Sequence, residues 1–137
     1  MAVAGFHRLT VAEVERETDD AVCVRFEVPT ALRDTFAFRQ GQYLTLRQTI
    51  NGEDVRRSYS ICSGVDDDAL RVAIKHIEGG RFSAYANAEL KVGDSLEVMP
   101  PEGRFTTELK ADNDHNYLCI AAGSGITPIL SIVKSIL

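Results

Sequence analysis

The chain has 137 residues, a formal net charge of −5 at pH 7 and a sequence pI of about 5.2. This acidic balance argues against nucleic acid as a partner, and no apolar stretch has the length to span a membrane, so we expect a cytoplasmic protein. The 3 cysteines and 3 histidines lack the spacing of metal ligands or of a disulfide framework, so we expect no metal site in this segment.

Residues 1–109 predict a small β-barrel. The runs with strand-like alternation or composition are Leu9–Val14, Val22–Val28, Gln42–Arg47, Arg57–Cys62, Leu70–Ile77 and Ser95–Met99. Asn51-Gly52 is a hairpin signal. Because closure removes exposed sheet edges, the pattern predicts an all-β-dominated domain, a six-stranded antiparallel barrel with one helix. A polar linker follows at residues 110–116.

The segment Arg57-Ser58-Tyr59-Ser60 contains residue types that suit a dinucleotide. A guanidinium can bind a pyrophosphate as a fork, and a phenol ring can stack on a flat ring such as isoalloxazine. Ser60 would then be a donor near the ring edge. In an extended strand Tyr59 and Ser60 point to opposite faces, so they reach one ligand only if the strand end bends. Taken alone, the segment is equally compatible with a solvated surface strand.

A glycine pair after the Leu70–Ile77 run predicts the start of a helix. Gly79 and Gly80 interrupt the strand, and apolar residues recur at helical spacing behind Ser83, which we expect to be the N-cap. The free N–H groups of such a start suit an anionic pyrophosphate. An ordinary strand-to-helix turn is the alternative.

The last segment has the order strand, glycine turn, helix. Tyr117–Ala122 is almost wholly apolar, as in a buried parallel strand, and a turn leads from it into the apolar stretch Ile126–Leu137. This order is typical of nucleotide-binding α/β domains, and Pro128 suits the first turn of a helix. A generic α/β crossover is the alternative. Residues 117–137 are therefore expected to be the incomplete start of an NAD(P)-binding α/β domain within a longer protein.

Taken together, these segments resemble the ferredoxin–NADP reductase superfamily and, within it, the reductase components of phenylacetyl-CoA epoxidase systems. The resemblance covers residues 6–137. The strings that carry it are Phe38–Leu46, Arg57–Cys62, Ile77–Ser83 and Ala121–Pro128.

The resemblance implies FAD and NAD(P)H as cofactors and assigns roles to individual residues. Arg57 would pair with the flavin pyrophosphate, Tyr59 would pack on the isoalloxazine, and Ser60 would hydrogen-bond near flavin N5. The other cofactor-binding residues that it implies are Ser58, Ile74, Lys75, Gly79, Gly80, Arg81, Phe82 and Ser83, with Gly123, Gly125, Thr127 and Pro128 on the nicotinamide side. Tyr59, Ser60 and Thr127 are the expected catalytic residues.

The function implied is that of an NAD(P)H-dependent flavin reductase passing electrons to an iron–sulfur centre and an oxygenase, in phenylacetate or other aromatic degradation. The 2Fe-2S cluster would lie in a missing downstream domain, and this chain alone is expected to be inactive with a nicotinamide nucleotide. One alternative is a related reductase serving another hydroxylase, a ferredoxin or a haem protein. Another is a barrel that binds a ligand without redox chemistry. Without its sheet, the Ile126–Leu137 helix is expected to be disordered or buried by self-association.

Overall fold

The computed structural model describes residues 5–137, and most of these form an antiparallel barrel. Its elements are β1 (His7–Thr18), β2 (Ala21–Glu27), β3 (Tyr43–Ile50), β4 (Glu53–Ser60), β5 (Leu70–Lys75), α1 (Arg81–Ala88), β6 (Ser95–Val98) and α2 (Ile126–Ile136). The sheet has the order β4-β3-β6-β1-β2-β5. A bridge between Ile61 and Val72 connects the end of β4 to β5 and closes the sheet, which confirms the predicted barrel.

The barrel core follows from the alternation along each strand. In β2, Val22, Val24 and Phe26 are buried while the residues between them are partly exposed. Because successive side chains of a strand point to opposite faces, the same alternation in the neighbouring strands fills one closed interior. Helix α1 covers one side of the barrel with Phe82 and Ala86, both fully buried.

Strands β3 and β4 extend further toward their shared turn than their sequence patterns predict. The β3–β4 ladder runs to the pair Ile50 and Glu53, directly beside the predicted Asn51-Gly52 turn. Both turn residues have positive φ, 51° and 81°, as a tight two-residue hairpin requires. The turn therefore extends the pairing through a mostly polar stretch in which Ile50 and Val55 are buried.

The prediction of a strand at residues 117–122 is wrong for the described structure, in which they form no strand. Leu118 and Ile120 are 86% and 81% exposed. A parallel strand takes its hydrogen bonds from neighbours in its own sheet, and the barrel strands bond to one another instead.

Helix α2 begins at Ile126 with Pro128 in its first turn, as predicted. It forms an 11-residue helix that contacts the loop after β4 through Ser131. The expectation that it is disordered in the isolated chain stays a prediction. Burial of this helix by self-association stays a prediction. Among residues 5–137, no helix is long and apolar enough to cross a membrane.

Candidate cofactor site

Strand β4 presents the Arg57–Ser60 segment at the edge of the barrel. Its partners on β3 are Leu46 for Arg57, Thr45 for Ser58, Leu44 for Tyr59 and Tyr43 for Ser60. Arg57 and Tyr59 therefore share one face of the strand, as expected. The Ser58 hydroxyl lies on the other face, 3.0 Å from the Thr45 hydroxyl, so its hydrogen bond is to β3.

The two adjacent arginines have different surroundings. Arg56 forms an ion pair with Asp54 at 3.3 Å and lies over the Phe6 ring, 5.2 Å from its centroid. Arg57 is exposed and donates to the Arg56 carbonyl at 2.6 Å. Within residues 5–137 it has no ion pair with a carboxylate. Of these two arginines, Arg57 is therefore the one available to bind an external anion.

Tyr59 connects β4 to the start of α1. Its ring centroid is 5.9 Å from that of Phe82, with an angle of 40° between the ring planes. Burial raises the pKa of the Tyr59 phenol, and the positive charge of Arg57 opposes that shift. The phenol is therefore neutral at physiological pH and lies within electrostatic range of the guanidinium.

The start of α1 differs from the prediction at Ser83. The N-cap is Gly80, and the Ser83 side chain makes no cap hydrogen bond. Its buried hydroxyl accepts from the Ile77 N–H at 3.0 Å and donates to the Gly80 carbonyl at 3.2 Å. Two consecutive glycines let the chain fold back so tightly that a side chain inside the helix reaches the turn before it. Ser83 therefore holds the glycine turn in place.

The backbone at this turn is suited to a close ligand. Gly79 has a φ of +78° with open space beside it, whereas a Cβ on Gly80 would lie 2.7 Å from the Ser83 Oγ. The hydrogen bonding of the helix begins with the Ala84 N–H donating to the Gly80 carbonyl at 3.0 Å. The N–H groups of Arg81 and Phe82 come before that bond in the chain, so they have no acceptor within the helix and can donate to a ligand.

Three further predicted residues have other surroundings. The Arg81 guanidinium forms an ion pair with Glu53 at the start of β4, so its charge is already balanced. Ile74 is fully buried, and its carbonyl accepts from the Asn87 amide at 3.1 Å. Lys75 is exposed at the end of β5. Sequence reasoning missed Glu53 and Asn87, because each acts through a contact between residues distant in the chain.

The predicted nicotinamide residues lie in the turn before α2. Gly123, with a φ of +57°, and Gly125 both have open space where a Cβ would stand. The Thr127 hydroxyl donates to the Ser124 carbonyl at 3.0 Å, and Pro128 is half-buried. The turn is thus a mostly exposed, glycine-lined surface that a ligand can approach closely.

The residues present fit a dinucleotide. The donor set has a guanidinium without a carboxylate partner among residues 5–137, two helix-start N–H groups and a glycine that leaves space beside the backbone. These groups suit a pyrophosphate, and the half-buried ring of Tyr59 suits an aromatic ring system. A barrel with this site defines a flavin-binding class of protein.

Comparison with known proteins agrees with that class. Residues 8–107 match the family model described as the oxidoreductase FAD-binding domain, and the chain belongs to that family.

Similar proteins include components of oxygenase systems. The chain is 51% identical over 132 residues to one of the subunits of 1,2-phenylacetyl-CoA epoxidase from Escherichia coli, with 96% of this chain and 37% of the relative covered. It is 44% identical over 131 residues to the ferredoxin reductase component of 3-ketosteroid-9-alpha-monooxygenase from Rhodococcus rhodochrous, with 94% and 36% covered. The chain thus spans little more than a third of the length of these relatives.

A solved structure with the same fold is that of phthalate dioxygenase reductase, described as a modular structure for electron transfer from pyridine nucleotides to a 2Fe-2S cluster. It matches with a TM-score of 0.73 and 27% identity, over 96% of this chain and 39% of that one. The superfamily resemblance and the barrel fold predicted from the sequence are therefore confirmed.

Proposed function

We propose that this chain holds FAD in a reductase that takes electrons from NAD(P)H and delivers them through an iron–sulfur centre to an oxygenase. The observation that carries the proposal is that Arg57 and the half-buried Tyr59 lie on one face of β4, and that Arg57 has no carboxylate partner in the part of the chain that the structure describes. The similarity to the phenylacetyl-CoA epoxidase component favours an oxygenase that acts on an aromatic CoA thioester.

The residues of the chain bind and orient the cofactor in this proposal. Arg57 neutralises the pyrophosphate, and the N–H groups at the start of α1 donate to it from the other side. Tyr59 packs on the isoalloxazine, with Phe82 supporting its ring. Ser60, at the end of β4, donates near N5. The chemistry that FAD supplies when bound is acceptance of hydride and release of single electrons.

The nicotinamide is proposed to lie at the turn that contains Gly123, Gly125, Thr127 and Pro128. The glycines allow its ring to approach the backbone, and Thr127 orients it. The rest of the nucleotide and the 2Fe-2S cluster would bind to further domains, in a modular arrangement like that described for phthalate dioxygenase reductase.

Cofactor extraction tests the proposal most directly. We expect the purified chain to be yellow, and the cofactor released by denaturation to have the mass of FAD. A protein that retains no flavin, and that binds neither FAD nor FMN on titration, would refute a flavin role for this site. Preferential retention of FMN would keep the flavin but remove the pyrophosphate role of Arg57 and the α1 start.

Reduction by NADH tests the assignment of the nicotinamide side. We expect the FAD-loaded chain to be reduced slowly, because the adenosine half of NADH has no site among the described residues. Rapid bleaching of the flavin at low NADH concentration would contradict this expectation.

A further inference from the structure

Helix α2 makes a set of polar contacts with the loop that follows β4. Ser131 is 0% exposed and is the buried residue of this 11-residue helix. Its hydroxyl donates to the Ser63 carbonyl at 2.6 Å. By contrast, the apolar residues Ile126 and Leu130 are 52% and 43% exposed. Other apolar residues of the helix, such as Ile132, are partly buried, so the hydrogen bond of Ser131 adds a directional contact to an incomplete apolar one.

Two neighbours of Ser131 reinforce this attachment. The Ser135 hydroxyl accepts from the Val65 N–H at 3.0 Å and donates to the Ser131 carbonyl at 2.7 Å. The Lys134 ammonium contacts the Asp67 carboxylate at 2.8 Å. We call Ser131, Lys134 and Ser135 the serine–lysine latch.

The loop that receives the latch is itself fixed to the barrel. The Cys62 N–H donates to the Arg71 carbonyl at 3.0 Å, and the Ser63 hydroxyl accepts from the Arg71 N–H at 3.2 Å. Loop and helix approach so closely that a Cβ on Gly64 would lie 2.9 Å from the Cβ of Lys134. The loop follows directly from Ser60, so the latch connects α2 to the strand end that bears the proposed flavin residues.

We propose that Ser131 is a positioning residue, which with Lys134 and Ser135 sets the distance and orientation between the Gly123–Gly125 turn and the Tyr59–Ser60 end of β4. This inference rests on the proposed function, because the two positions are those assigned to nicotinamide and flavin. Since a helix rises about 1.5 Å per residue, the turn lies roughly 9 Å from Ser131 along a rigid rod. Hydrogen bonds fix the rotation and translation of that rod, whereas an apolar contact alone tolerates sliding.

Residual dipolar couplings measured by NMR on the FAD-titrated chain test the latch. In the wild type, the α2 amides should fit the same alignment tensor as the barrel. In Ser131→Ala and in Lys134→Gln, the couplings of α2 should lose at least half their magnitude relative to the barrel. Lys134→Arg should restore them by keeping the ion pair, and the control Ser124→Ala, which removes an exposed hydroxyl before the helix, should leave them unchanged. In all of these variants the Kd for FAD should stay within about twofold of the wild-type value.

The outcomes separate the latch from the proposed function. Wild-type couplings of α2 in both latch variants would overturn the latch, even if FAD binds. A loss of FAD affinity greater than about tenfold in Ser131→Ala, with the barrel intact, would assign Ser131 to the flavin site instead and overturn its positioning role. Failure of the wild type to bind FAD would refute the proposed function, while the couplings would still decide whether the latch orients α2. If Ser131→Ala does not fold, Lys134→Gln decides.

Discussion

Replacing Arg57 by alanine is the most direct perturbation of the proposed site. Arg57 is exposed and has no ion pair within residues 5–137, so its removal costs the free chain little stability. Arg56 is a matched control. It is adjacent and equally charged, but it is paired with Asp54 on the opposite face of β4. Replacing either arginine by alanine changes the net charge by the same amount, so long-range electrostatics affect both variants alike.

The magnitude follows from the contact that Arg57 would make. A hydrogen bond to a charged group contributes about 1.5 to 3 kcal/mol, which corresponds to a Kd roughly 10- to 150-fold weaker on its loss. Arg57→Lys should fall between wild type and Arg57→Ala, because lysine keeps the charge but not the guanidinium fork. Arg56→Ala should weaken FAD binding by less than about threefold, since it removes an exposed ion pair only.

Flavin fluorescence, followed while FAD is titrated with protein, measures these dissociation constants at fixed ionic strength. Thermal unfolding of the apoproteins confirms that each variant is folded. Equal FAD affinity in wild type and Arg57→Ala would remove the anchor residue of the site. A larger loss of FAD affinity in Arg56→Ala than in Arg57→Ala would mean that the FAD pyrophosphate lies on the face of β4 that carries Arg56.

Two further predictions concern the stability of the chain. Gly41→Ala should destabilise it by about 3 kcal/mol or more in urea unfolding, because a Cβ at its φ of +90° would lie 1.5 Å from the Phe105 carbonyl oxygen. Gly52→Ala, also at positive φ but in open space, should cost about 1 kcal/mol of stability. An equal loss of stability in the two variants would contradict the close approach of Gly41 to the Phe105 carbonyl. The hydrogen bond from Lys134, followed by that from the Gly64 N–H, lowers the pKa of Asp67, so its stabilisation is present above about pH 4 and is lost as the pH falls through the folded pKa. Between pH 7 and pH 3, Asp67→Asn should therefore lose less stability than the wild type, and the difference should be up to about 1 kcal/mol for this partly exposed ion pair. An equal loss in both proteins would show that protonation of Asp67 is not linked to folding.

The barrel could be predicted from the sequence because its signals are local. Alternation along each strand and the Asn51-Gly52 turn act over a few residues, and the structure follows both. The choice of Arg57 over Arg56 comes from the family resemblance instead, and it stays a prediction. Asp54 lies on the same face of β4 as Arg56, so the ion pair between them agrees with strand alternation.

The role of Ser83 could not be predicted in the same way. A serine near a helix start is most often an N-cap, but here the N-cap is a glycine and the serine lies inside the helix. The latch is harder still to predict, because Ser131 and Ser63 are separated by 68 positions and neither has a distinctive neighbour in the sequence. Such contacts arise only once the barrel has placed its loops, so composition and periodicity contain no signal for them.

The distribution of exposed apolar side chains supports the proposed boundary between residues 109 and 117. From residue 5 to residue 100, the large apolar side chains that are exposed are Ile77 and Val92, both near turns. Beyond residue 104 they recur at Phe105 and Leu109, just before the linker, and then from Tyr117 through α2, with Leu118 and Ile120 the most exposed before the helix. Full burial of such a side chain contributes about 1.5 to 3 kcal/mol, so these residues lack stabilisation that the barrel residues have. The barrel fills its own core, whereas residues 117–137 need a further apolar surface, which fits the proposal that they begin a second domain.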